Sequence, residues 1–165
     1  MPDAFWDPMH IMNPPFQACE TSDFAAATDG QIHDPNNANP LMYGEWVDVT
    51  SNKLARAAST SKNAYLYVGE KGRTDLQMTK KGPILLTRPQ RIRTKLVDAT
   101  GSLGLNSEVM IADVTINSLT KSGFKKAATT GNYIQGKVTK AGTNSGAPDG
   151  SYWEILLYPQ PLIIP

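Results

Sequence analysis

From Gly44 onward the apolar positions come in short bursts, and no segment keeps an i, i+3, i+4, i+7 spacing for three turns. Glu45-Trp46-Val47-Asp48-Val49 is rich in strand formers, and Lys53-Leu54-Ala55-Arg56-Ala57 follows it across the polar turn Thr50-Ser51-Asn52, which predicts a hairpin. Ala64–Val68 is the next strand, closed by Gly69 and Gly72. Leu76 and Met78 alternate with polar neighbours before Lys80-Lys81-Gly82 turns the chain. Ile84-Leu85-Leu86 reads as a short buried strand. In Arg91-Ile92-Arg93-Thr94-Lys95-Leu96-Val97 the period of two puts three cations on one face and Ile92 and Leu96 on the other. Val109–Ile116, a short strand at Phe124, Tyr133–Val138 and Tyr152–Tyr158 complete the series. Strands at about 8–12-residue spacing with turn signals between them predict an all-β fold, a compact antiparallel β-barrel or sandwich. Its expected core is Trp46, Val47, Leu66, Val68, Leu85, Ile92, Leu96, Ile111, Ile134, Val138, Trp153, Ile155 and Leu157.

The stretch before this domain is patterned differently. Six of the 12 prolines lie at positions 2, 8, 14, 15, 35 and 40, each removing a backbone donor and biasing its predecessor away from helix. Between them stand Phe5, Trp6, Met9, Ile11, Met12, Phe16 and Phe24, whereas disordered tails are poor in aromatics. Residues 1–42 therefore read as a long extended arm with anchors at Phe5, Trp6, Met9, Ile11 and Phe16, lying on its own domain, a sister copy or a partner. Asp23–Ala27 suits one helical turn capped by Ser22. The apolar tail 159–165, with Leu162, Ile163 and Ile164 among prolines, is expected to dock in an extended conformation, because soluble proteins avoid a free apolar patch. The plan is an arm (1–42), a β-domain (43–158) and a tail (159–165), with the domain expected to stay folded when residues 1–40 are removed.

Charge sharpens that division. The 165 residues carry a net +1, but the first 52 hold eight acids and no lysine or arginine, a balance of −8. The remainder holds all 16 basic residues against seven acids, or +9. Opposite halves attract within one chain or between copies. The overall balance gives no general reason to expect nucleic acid or a membrane surface as partner. The longest apolar runs fall far short of the roughly 20 residues that cross a bilayer, and the N-terminus shows no signal-peptide pattern.

Candidate chemistry is thin. Cys19 stands alone, and His10 and His33 are too few for most histidine metal clusters. Gly131-Asn132-Tyr133-Ile134-Gln135-Gly136-Lys137 matches seven positions of a phosphate-binding loop, but Val138 stands where a magnesium-holding hydroxyl belongs, and strand formers flank the glycine. No His stands near a plausible Ser or Cys nucleophile. The sequence implies no cofactor, no metal and no enzyme activity. The best basic patch gathers Arg88, Arg91, Arg93 and Lys95 with Lys121, Lys125 and Lys126. The strand face of Arg91, Arg93 and Lys95 is expected to meet an acidic protein surface. A cationic strand on a small barrel also fits a single-stranded nucleic-acid binder, which stays as an alternative.

Several segments in series carry a resemblance. They are Gly44-Glu45-Trp46-Val47, Lys53–Ala57, Tyr65–Val68 leading to Gly72–Gln77, Ser107–Ile111, Gly123–Ala127, Tyr133–Lys140 and Gly150–Leu157. In this order and spacing, residues 44–158 resemble the capsid decoration (cement) proteins of tailed bacteriophages. The arm and tail depart from that pattern. The resemblance implies a non-enzymatic virion protein, made in the host cytoplasm, that binds the outer surface of a shell of major capsid protein and neighbouring copies of itself. Another virion part, such as a tail or baseplate barrel, is the nearest alternative.

Overall fold

The computed structural model describes residues 9–12, 21–26, 39, 41–50, 53–68, 81–85, 90–116, 118–143 and 151–165. The fold is all-β, with no helix among the described residues. The described residues form twelve strands in chain order: β1 (Met9–Ile11), β2 (Thr21–Ala26), β3 (Trp46–Thr50), β4 (Lys53–Arg56), β5 (Tyr65–Tyr67), β6 (Lys81–Leu85), β7 (Gln90–Thr94), β8 (Val97–Asp98), β9 (Glu108–Ile116), β10 (Leu119–Lys126), β11 (Tyr133–Lys140) and β12 (Trp153–Ile163).

Seven strands make an open sheet in the order β1-β7-β12-β11-β9-β10-β8, and the other five pair in a ring, β2-β4-β3-β5-β6, closed by β2 on β6. The molecule as a whole is thus two packed sheets of sandwich type. Pairing is antiparallel except at β8–β10 and β2–β4.

Alternation explains why the ring strands are apolar on both faces. Trp46, Leu66 and Leu85 turn toward the larger sheet and join its Ile92, Val109, Ile111, Phe124, Val138, Trp153, Ile155 and Leu157 in the main core. Their neighbours Val47, Tyr67 and Ile84 point the other way, into the ring, where they meet Leu41 and Leu54. Trp46 meets Phe124 edge-on, with ring centroids 5.4 Å apart at 75°, and so ties ring to sheet. Of the expected core, all but the half-buried Val68 are buried.

Several expectations are corrected. Met9, read as a partner anchor, is fully buried in the main core. It sits on Gly44, whose φ of +91° excludes most side chains and whose missing Cβ would lie 2.7 Å from that of Met9. Residues 23–26 are strand rather than helical turn, because β2 satisfies its backbone on β6 along Thr21↔Leu85 to Ala25↔Lys81. Lys81 and Gly82 open β6 instead of turning. The strand through Arg91 stops at Thr94, where the chain bends at Lys95 and restarts as β8. The tail continues β12, with Leu162 and Ile163 opposite Ile134 and Tyr133. The strand read at Leu76 and Met78 lies outside the described residues.

One long bulge accounts for the prolines in β12. Between Ile134↔Leu162 and Gly136↔Leu157, Gln135 alone opposes Tyr158-Pro159-Gln160-Pro161. Prolines lack the donor that a ladder needs, so they fall where the ladder is interrupted. Gly136 has no room for a side chain, since a Cβ there would run into the Leu156 carbonyl oxygen.

Candidate docking face

The register gathers charge on the solvent face of the larger sheet. In one row, Arg93 of β7 stands opposite Glu154 of β12, which stands opposite Lys140 of β11. In the next, Arg91 faces Leu156, then Lys137 of β11, then Glu108 of β9. Four cations and two carboxylates thus lie within two adjacent rows.

Glu154 organises the β7 side. Its Oε2 accepts from Arg91 Nη2 at 2.8 Å, and its Oε1 accepts from Arg93 Nε at 3.0 Å. Burial alone would raise its pKa, but the hydrogen bonds and charges of Arg93 and Arg91 outweigh that and hold the carboxyl below its ordinary value. The two guanidinium side chains remain 49 % and 44 % exposed. They are therefore fixed in direction and still open to solvent. Next to this face, burial, together with the charge and hydrogen bond of Glu108, pushes Tyr158 above the usual tyrosine value.

The remaining sequence-derived candidates separate. Lys95 leaves the Arg91–Arg93 face: it is buried, with Nζ 4.9 Å from the Tyr152 ring centroid. Lys121 leaves the basic patch altogether. Its side chain is 2 % exposed, and its Nζ lies 3.8 Å from Oε2 of the fully buried Glu45. That carboxylate also accepts from Arg56 Nε (2.6 Å), Met42 N (2.6 Å) and Ser122 N (2.8 Å), so it joins the ring to β10. Ile11 pairs with Ile92 in β1. Leu162 and Ile163 are exposed and Ile164 half-buried, with Ile164 N donating to Asn132 O and Ile164 O accepting from Gly131 N. Phe5, Trp6, Phe16 and Arg88 lie outside the described residues. Sequence reasoning missed Lys137, Lys140, Glu108 and Glu154 as members of one face: Lys137 and Lys140 differ in parity, and only the bulge between Val138 and Lys140 brings both to it.

The resemblance to a phosphate-binding loop ends at the turn. Gly131 takes φ +84°, and Tyr133 onward is strand. Among the described residues no three His, Cys, Asp or Glu group together as metal ligands, and no helix is long and apolar enough to cross a membrane. No family model, no curated protein and no solved structure matches the chain.

Proposed function

We propose that this chain is a structural, non-enzymatic virion protein, a decoration protein that binds the outer surface of a shell of major capsid protein and stabilises it. The observation that carries the reading is the charged face of the larger sheet, where Arg91 and Arg93 are clamped by Glu154 yet half exposed. Guanidinium groups held in place lose little freedom when a carboxylate meets them, so an acidic protein surface is their natural complement. Modest contacts repeated over many copies add up on a shell. The serial resemblance of residues 44–158 to decoration proteins supports the same reading. A tail or baseplate position is separated from it by locating the protein on the particle.

The single-strand reading loses support from the same geometry. Lys95 and Lys121 are buried, Glu154 puts negative charge between Arg93 and Lys140, and Glu108 adds more beside Lys137, where phosphates would run. The test is cosedimentation of the purified chain with shells that lack it. Lys137→Glu with Lys140→Glu reverses charge on the face while leaving both arginines on Glu154. Binding should weaken about tenfold or more at low salt and converge with wild type at about 1 M, where the screening length is only about 3 Å. Tight oligonucleotide binding that the reversal abolishes, with no affinity for shells, overturns the proposal.

A further inference from the structure

Among the described residues three large apolar side chains are broadly exposed, and two of them, Leu162 and Ile163, share the end of β12. The third, Leu105, stands by itself, 62 % exposed, in the connection between β8 and β9. Lone apolar residues on a surface are ordinary, and exposure alone assigns nothing. What sets Leu105 apart is the turn that carries it.

Leu103 is buried in the main core, whereas Leu105, two residues on, is held out at a corner. Ser107 N donates to Gly104 O at 3.0 Å, and Gly104 N donates to Ser107 Oγ at 3.1 Å. Gly104–Ser107 is thus a closed four-residue turn with Leu105 at its second position. The third, Asn106, has φ +65°, a left-handed conformation that asparagine tolerates better than most residues. Asn106 N donates to Val138 O and Val138 N to Ser107 O, both at 2.9 Å, which fastens the turn to β11. Earlier in the same connection Ser102 takes φ +61°, a conformation that persists where surrounding structure enforces it. A slack loop would let Leu105 fold back onto nearby apolar surface; this one holds it in water.

Its place in the fold supplies the partner. Val138 lies between Lys137 and Lys140 on β11, and Glu108, which pairs with Lys137, follows three residues after Leu105. The turn therefore borders the charged docking face, whose own apolar side chain, the half-buried Leu156, stands between Arg91 and Lys137. A standard interface covers about 800 Å² per partner, wide enough to take in the four cations and the turn beside them.

We infer that Leu105 is an apolar anchor of the docking face and enters an apolar pocket, bordered by carboxylates, on the acidic protein surface that this face meets. This rests on the shell-binding reading and adds to it a contact that salt does not screen. The cations supply an attraction that fades with ionic strength, whereas burial of apolar surface persists.

The test is cosedimentation of wild type and Leu105→Ala, as full chains, with shells that lack the protein, at about 0.1 M and about 1 M salt. Leu105→Ala should bind about tenfold more weakly at both, since burying most of a leucine is worth about that factor. It should melt with wild type, because the side chain lies largely in solvent. Wild-type affinity in Leu105→Ala, or a deficit that disappears at high salt, overturns the inference and leaves the shell-binding reading standing. So does a lower melting temperature for Leu105→Ala, which would make the side chain part of its own core. A wild-type chain that does not bind shells overturns that reading, and the inference with it.

Discussion

Glu45 is the residue on which the interior depends most directly. A carboxylate with no solvent exposure is tolerable only when each oxygen is satisfied, and Arg56, Met42 N, Ser122 N and Lys121 together do this. Glu45→Gln keeps the shape but removes the charge, leaving two cations without their counter-ion. The expected loss is about 3–5 kcal/mol, read as a lower urea midpoint. Adding Lys121→Met should recover part of it, and no recovery would mean that Lys121 draws its stability from elsewhere. Glu154 gives a second, pH-dependent prediction. Its pKa is depressed in the fold, so its contribution is present above the unfolded carboxylate value of about 4.3 and fades as pH falls through the folded one. Melting curves from pH 7 to pH 3 should drop below about pH 4.5, and Glu154→Gln should be less stable at pH 7 and flatter toward acid. Equal acid slopes for the two proteins would refute that assignment.

Among the elements, β1 and β2 matter most, because they reverse the expectation that residues 1–40 are dispensable. Removing them strips Met9 from the core, exposes the edge of β7 and opens the ring between β4 and β6. A large buried side chain alone is worth about 2–5 kcal/mol, so the truncated chain should melt about 10 °C or more lower, if it folds. A truncation that melts with the full chain would mean that these pairings add nothing. Element by element, the pattern of strand formers between turn signals made β3, β5, β9 and β11 legible. It failed where stability comes from distant partners. Thr120-Lys121-Ser122-Gly123 looks like polar punctuation, yet it is the middle of β10 because Glu45 and the Ala57 carbonyl satisfy its polar groups. Pro159 and Pro161 argued for the end of a strand that in fact resumes beyond a bulge. In the docking face, Arg91 and Arg93 were readable from their spacing, whereas Glu154 lies 63 and 61 residues away and only the register brings it across.

At the scale of the whole molecule, the segregated charges meet inside one fold. Glu45 from the acidic half holds Arg56 and Lys121 from the basic half, so part of the −8 and +9 balance is spent internally, away from any partner. The sheet order carries a further consequence. In β1-β7-β12-β11-β9-β10-β8, the strand farthest along the chain lies third, between β7 and β11. Without it the sheet is two fragments, each ending in an uncovered edge that invites wrong pairing. A polypeptide emerging from the ribosome therefore cannot assemble its principal sheet stepwise. It must hold β1 and β7 apart from β9, β10 and β11 until residues 153–163 arrive, and a ribosome that stalls before that point releases a chain with two sticky seams and no finished core. Translation order, as much as sequence pattern, sets when this protein becomes safe from aggregation.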